Sequence, residues 1–264
     1  MKRLIRYILN HVPRPVLQRM AGWAVPVLGL FYVGSGRECP LCGCRRRKFL
    51  PYGYVTQRED ALCPNCLALE RHRLLWLWLV RESDLGRGAM ALPKLLHVAP
   101  EVALMRKFKK MYAREAERYV TADLESPLAD LHFDIQQIPL EDNSFDVVIC
   151  NHILEHVESD HRALSEIRRI LRPGGWAVVM SPVDLGREKT FEDDSITDPA
   201  ERTRLFGQYD HRRVYGRDYV ERLAEVGFEV YDENYRERLP EKEQQLYALP
   251  DEHIYIVRKP LTTL

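Results

Sequence analysis

The run from Phe145 to Met180 constrains the fold more than any other stretch. Val147, Val148, Ile149 and Cys150 form an unbroken apolar segment entered through Phe145-Asp146, as expected of a strand buried on both faces. Leu164, Ile167, Ile170 and Leu171 then recur at helical spacing with charges between them, which predicts a helix with one apolar face. Pro173-Gly174-Gly175 is expected to stop this helix, and Trp176 to Met180 reads as a second apolar strand. Strand, crossover helix and strand together are the unit of a parallel sheet covered by helices.

The same alternation runs through the chain from about residue 90. Lys94 to Val98 reads as a strand, followed by the turn Ala99-Pro100-Glu101 and a helix from Val102 to about Tyr112. Tyr119 to Ala122 reads as a strand ending at Asp123, and Leu131 to Ile135 as another ending near Asp134. Phe228 to Tyr231 and His253 to Val257 read as a closing antiparallel pair, with the charged run 234–250 between them an exposed excursion. The predicted fold class is α/β: a doubly wound, mostly parallel, seven-stranded sheet over 90–264. Such sheets bind ligands at the carboxyl ends of their strands. Asp123 lies about twenty residues after the first turn, where an acid can hold both hydroxyls of a ribose.

Ahead of the sheet stand two cysteine pairs. Cys39-Pro-Leu-Cys42 is followed, after twenty intervening residues, by Cys63-Pro-Asn-Cys66. Each Cys-x-x-Cys turn aims two thiolates at one ion, and two turns complete a four-sulfur tetrahedron suited to structural zinc. A closed shell leaves no position for water, so no catalysis is assigned to it. Gly43 suits the first turn, and Cys44 stands near Cys42 as a spare thiol. His72 lies downstream, but four thiolates leave it no vacancy. The module is read as 37–80, closed by a helix whose Leu67, Leu74, Leu75, Trp78 and Leu79 clamp it to the main domain. Six cysteines used this way indicate a reducing, cytoplasmic compartment rather than a disulfide framework.

Residues 1–36 form a third region. Lys2, Arg3, Arg6, Arg14, Arg19 and Arg37 all precede the first acid, Glu38, with apolar residues between them. Prolines and arginines inside the apolar part, and no clear small-residue cleavage site, argue against a secretory leader. The segment is read as a basic amphipathic stretch. It either lies on the inner face of an anionic membrane or docks on protein, this chain's core or a second subunit. Lysines plus arginines equal acids at 39 each, so no overall basic field attracts nucleic acid. Arg45-Arg46-Arg47-Lys48 with Tyr52 and Tyr54 could touch RNA, but reads better as a solvated hairpin.

The order of features resembles the class I S-adenosylmethionine-dependent methyltransferases, and within them a bacterial subgroup with an N-terminal cysteine cluster. The residues that carry this are Leu96-His97-Val98-Ala99-Pro100-Glu101, Thr121-Ala122-Asp123-Leu124, Asp134-Ile135, Phe145-Asp146-Val147-Val148, Asn151-His152-Ile153-Leu154-Glu155-His156 and Leu171-Arg172-Pro173-Gly174-Gly175. The resemblance covers about 90–260 and implies a Rossmann-like sheet that binds S-adenosylmethionine. It implies that Asp123 holds the ribose, that Asp134 and Ile135 flank the adenine, and that Asn151 and His152 line the methionine end. His97, Ala99, Pro100, Glu101, Leu124 and His156 complete the implied cofactor contacts. One departure stands out: the family's glycine-rich first turn is absent here, and Glu101 is expected to compensate by meeting the cofactor's ammonium group. His152-x-x-Glu155-His156 also matches the spacing of inverted zinc proteases, but it starts directly after a strand rather than inside a long helix.

After the fifth strand, a polar stretch too long for an ordinary connection reads as a lid or acceptor wall. Glu192, Asp193, Asp210, His211, Arg212 and Tyr215 are its candidates. His211 is the expected general base, because imidazole titrates near neutrality, with Asp210 the second candidate. The resulting expectation is methyl transfer to a small-molecule, glycan or lipid-linked acceptor. The alternatives are an RNA methyltransferase that grips RNA through the zinc module, and a non-catalytic protein that binds S-adenosylmethionine. Oligomeric state is not legible.

Overall fold

The computed structural model describes residues 29–53, 57–86 and 91–261; most of the basic segment expected over 1–36 lies outside them. The chain divides into two compact units. The first takes the chain up to Glu82 and adds Glu101–Lys107 and Arg236–Asp251. The second takes Ser83–Pro100, Phe108–Tyr235 and the chain from Glu252 onward.

In the first unit, β1 (Val33–Glu38) pairs antiparallel with β2 (Arg45–Arg46), and β3 (Leu50–Tyr52) with β4 (Arg58–Leu62). The first cysteine turn joins β1 to β2, and the second follows β4. Helix α1 (Glu70–Arg81) comes next and buries Leu74, Leu75, Leu77 and Leu79. His72 caps this helix, its Nδ1 accepting from the Leu69 amide at 3.2 Å, while its Nε2 lies 3.8 Å from the Glu101 carboxylate.

Arg73 is fully buried in this unit. It donates to the carbonyls of Asp60, Ala61 and Ala68, and to those of Tyr247 and Ala248. The last two belong to the run expected to be an exposed excursion. That expectation is corrected: the run carries the short helix Glu241–Leu246, buries Leu239 and Leu249, and packs with the first unit.

The second unit is built on a seven-stranded sheet. Its strands are β5 (Leu95–Val98), β6 (Tyr119–Asp123), β7 (Leu131–His132), β8 (Phe145–Cys150), β9 (Leu171–Val178), β12 (Glu229–Glu233) and β13 (Ile254–Arg258). The order is β12-β13-β9-β8-β5-β6-β7. β9, β8, β5, β6 and β7 are mutually parallel, and β13 pairs antiparallel with both β9 and β12. Helix α2 (Val102–Met111) follows β5, and α3 (Asp160–Ile170) joins β8 to β9. Leu164, Ile167 and Ile170 of α3 are buried with Val148, Cys150 and Val179 in one core.

Pro173-Gly174-Gly175 does not separate helix from strand as the sequence suggested. Helix α3 already ends at Ile170, and β9 runs continuously from Leu171. The three residues form an irregularity in its pairing with β8, between Phe145↔Leu171 and Val147↔Trp176. A side chain at Gly175 would lie 2.9 Å from the Asp146 carbonyl, so the two strands approach too closely there for anything but glycine.

Candidate functional site

The chain lays down β5, β6 and β7 on one side, then returns to β8 on the other side of β5. The sheet's switch point is therefore between β5 and β8, where a doubly wound sheet opens a ligand crevice. The turn after β5 and the loop 151–158 after β8 both border it within the second unit.

The first turn reaches the required shape without glycine. Ala99 sits in the left-handed region at φ 46°, and its amide donates to the Ala122 carbonyl at 2.7 Å. An L-residue there costs about 1–2 kcal/mol. His97 takes another role than expected. It is fully buried, its Nδ1 is 2.9 Å from the Tyr119 hydroxyl, and its ring meets Phe108 edge-on. It is a core histidine rather than a cofactor contact.

Asp123 ends β6. Its Oδ1 accepts from the amides of Glu125 and Ser126 at 2.9 and 2.8 Å, which shapes the loop and leaves Oδ2 for a ligand hydroxyl. Leu124 stands exposed beside it. Asp134 accepts from the amide and side chain of Gln136, and Ile135 is buried in the core. Glu101 belongs to the first unit, where it faces His72.

The loop after β8 forms no helix across His152-Ile-Leu-Glu155-His156, only a single turn closed by the His156 amide on the Ile153 carbonyl at 2.9 Å. His152 is itself left-handed at φ 55°, with its amide on the Met180 carbonyl. Its Nδ1 lies 3.4 Å from Glu155 Oε1 and its Nε2 3.6 Å from Glu252. Asn151 is buried next to it. Glu155 is buried too, and Ser181 Oγ donates to it at 3.1 Å. Burial pushes the Glu155 carboxyl up, but the His152 hydrogen bond and the charges of His152 and His156 outweigh it and hold it below its ordinary range.

The stretch from 184 to 215 folds back on this loop. β10 (Phe191–Glu192) pairs with β11 (Arg213–Val214), and helix Pro199–Phe206 lies between them in sequence. Arg213 is the buried latch: it donates to the carbonyls of Leu154, Val157 and Glu158 and pairs with Glu192. Glu192 also pairs with Arg222, which forks onto Asp160. Tyr215 is fully buried on Asp160. Glu192 and Tyr215, expected at the acceptor wall, thus hold the wall together instead. Nothing in the sequence marked Arg213, Arg222 or Asp160 among so many charges.

The fold-back brings His211 to His156, their rings edge to face with centroids 4.7 Å apart. His211 Nδ1 is 3.1 Å from the Phe206 carbonyl. A carbonyl only accepts, so Nδ1 carries the hydrogen and Nε2 of the neutral ring carries the lone pair. Burial lowers the His211 pKa, against the upward pull of Glu155. Asp210 Oδ2 lies 3.5 Å from His156 Nδ1. The ligand atoms of Glu155, His156 and His211 all lie within 4.8 Å of one another.

In the first unit, Cys39, Cys42, Cys63 and Cys66 also come together. Cys39 and Cys66 sulfurs are 3.7 Å apart, Cys42 and Cys63 sulfurs 3.8 Å. A tetrahedral zinc with bonds of about 2.3 Å sets its sulfurs about 3.8 Å apart, so the spacing fits the ion. Cys44 lies 3.5 Å from Cys63, outside the set. Gly43 takes φ 71° and its amide donates to the Cys39 carbonyl; in the second turn Leu67 takes the same place at φ 64°, on the Cys63 carbonyl.

Residues 84–179 match the family model described as "Methyltransferase domain". The stretch 84–179 thus has the sequence features of a methyltransferase domain. A probable S-adenosylmethionine-dependent methyltransferase of Mycolicibacterium smegmatis is 31% identical over 153 residues, 58% of this chain and 52% of its own length. A demethylmenaquinone methyltransferase of Staphylococcus aureus is 38% identical over 139 residues, 48% of this chain and 56% of its own. A putative methyltransferase structure from Bacillus halodurans superposes with TM-score 0.41 at 18% identity, over 64% of this chain and 93% of its own. The chain spans between 14% and 56% of the length of the first curated relatives it matches.

Proposed function

We propose that this chain transfers a methyl group from S-adenosylmethionine to a small-molecule acceptor. The observation that carries the reading is the methyltransferase-domain match over 84–179, on a sheet whose switch point is bordered by Ala99, Asp123 and the 151–158 loop. When bound, S-adenosylmethionine supplies an electrophilic methyl on a sulfonium. Asp123 Oδ2 accepts from a ribose hydroxyl, while Oδ1 keeps the loop closed. Ala99 and Pro100 bring main chain to the cofactor, with Leu124 covering its edge. The backbone around Asp134 flanks the adenine, since the Asp134 carboxylate and the Ile135 side chain are already engaged. Asn151 and His152 line the methionine end. Glu155, His156, Asp210 and His211 form the acceptor wall, which Arg213 fixes in place, so that the acceptor is aligned for in-line attack. The four-cysteine cluster holds zinc and is structural.

The Staphylococcus aureus relative, a demethylmenaquinone methyltransferase, supports a small-molecule acceptor. Leu30, Phe31 and Val33 stand exposed at the end of the basic amphipathic sequence, which supports an acceptor held at a membrane surface. Among the described residues no helix is long and apolar enough to cross a membrane.

Calorimetry on the zinc-loaded chain tests the core of the reading. S-adenosylmethionine should bind, and Asp123→Asn should weaken it at least about tenfold, one charged hydrogen bond's worth. The melting temperature should hold, because asparagine still accepts from the two loop amides. A wild-type chain that binds no S-adenosylmethionine would overturn the reading. Labelled-cofactor transfer to phenols and quinols, with and without anionic vesicles, then tests the acceptor class.

A further inference from the structure

We propose that Glu155, His156 and His211 bind a divalent transition-metal ion, a site separate from the cysteine cluster. Their ligand atoms lie within 4.8 Å of one another, so one ion with bonds of about 2.0–2.2 Å reaches all three after small side-chain rotations. One carboxylate with two imidazoles is a donor set for zinc, manganese or iron(II), and it leaves open positions.

Three features of the surroundings favour an ion. Metal-bound histidines commonly donate their second ring hydrogen to a carbonyl or carboxylate, which fixes the tautomer and aims the other nitrogen at the metal. His211 Nδ1 already has the Phe206 carbonyl at 3.1 Å, and His156 Nδ1 has Asp210 Oδ2 at 3.5 Å. Second, Glu155 is 2% exposed, and its carboxylate meets Ser181 Oγ at 3.1 Å and His152 Nδ1 at 3.4 Å, while among the described residues no lysine or arginine pairs with it. A buried carboxylate is costly unless a cation or strong donors compensate it. Third, the loop backbone is held by Arg213 on three carbonyls, with the Arg212 amide on the Glu155 carbonyl. The ligands are thus mounted on a fastened loop.

The site stands at the carboxyl end of β8, beside His152. On the methyl-transfer reading, the ion's open positions would take an oxygen of the acceptor, so the acceptor belongs to the hydroxyl or enol class. His211 then serves as a ligand, not as the base that the sequence suggested.

The test is titration with Co2+ of the full chain carrying a single equivalent of zinc, which the four thiolates hold in preference to the mixed carboxylate–imidazole set. One further equivalent should bind, with visible d–d absorption but without the thiolate-to-cobalt bands that a cysteine site gives. His211→Ala and Glu155→Gln should each weaken it at least about tenfold, with circular dichroism confirming the fold. Pulsed EPR of the wild-type chain with one Cu2+ should show nitrogen couplings from two imidazoles, a readout that needs no variant. No further equivalent, an affinity unchanged in His211→Ala, or a copper spectrum without imidazole nitrogen would overturn the proposal. None of these readouts involves S-adenosylmethionine, so failure here and failure of the methyl-transfer reading are distinguishable.

Discussion

Removing the Arg213 side chain should loosen the loop that carries most of the site. The guanidinium is 3% exposed and donates at 2.6, 2.8 and 2.9 Å to the carbonyls of Leu154, Val157 and Glu158. Arg213→Ala leaves those three acceptors without their donor. An unsatisfied buried polar group costs about 1–3 kcal/mol. Water entering the vacated space recovers part of this, so about 3–5 kcal/mol is expected. Glu192 adds little, because it keeps Arg222. For a unit of this size the loss corresponds to a melting shift of about 6–20 °C. Arg213→Lys should recover no more than about half, since one ammonium cannot span three carbonyls and Glu192. Arg212→Ala is the control: its partner Asp194 is largely exposed, and such pairs are worth about 0–1 kcal/mol. Differential scanning calorimetry with zinc present reads all three. A shift below about 2 °C for Arg213→Ala would refute the latch.

Other substitutions probe other parts. Ala99→Gly removes the left-handed penalty of about 1–2 kcal/mol but adds unfolded-chain entropy worth about 0.4–1 kcal/mol; denaturation should show a net gain of about 0.5–1 kcal/mol, and a loss would contradict the strain. Glu166 is held below its ordinary 4.5, first by the Arg169 hydrogen bond, against burial and the charge of Asp142. A depressed acid stabilises the fold above its unfolded pKa, and that stability is lost as pH falls through the folded one. Glu166→Gln should therefore flatten the acid limb of stability below about pH 4.5; an unaltered acid limb would count against the pairing. Chelation of zinc should unfold the first unit, read as loss of amide protection in 37–80; full protection without metal would show that the thiols do not need it.

The sheet was legible because its strands are short, apolar runs at regular separation, and because helical spacing separates β8 from β9. The cysteine quartet was legible from spacing alone. What escaped the sequence depends on long-range closure. His211 lies 55 positions beyond His156, so only the β10–β11 fold-back unites them. The His152-x-x-Glu155-His156 pattern hinted at metal chemistry but on the wrong scaffold, a helix instead of a loop. His97 looked like part of a cofactor turn, yet strand alternation turns it into the core. Charged residues were the least legible class: no sequence signal singled out Arg73 or Arg213, and each is buried among main-chain carbonyls, since guanidinium offers five donors to acceptors that no apolar side chain could satisfy. The run 234–250 was misjudged because its charge hid the acceptors Tyr247 and Ala248.

Those two acceptors have a consequence for how the chain is made. Arg73 emerges from the ribosome 174 residues before Tyr247, its partner. At about 5–20 residues per second, that interval is on the order of ten to thirty seconds. The cysteine turns can take up metal early, but throughout that time the arginine beside them has only its local carbonyls. The first unit therefore begins first and finishes late, after the sheet's central strands have been synthesised. A chain cut between β12 and residue 247 would keep every cysteine and still lack the carbonyls that close this unit, so metal content alone would be a misleading sign of its folding.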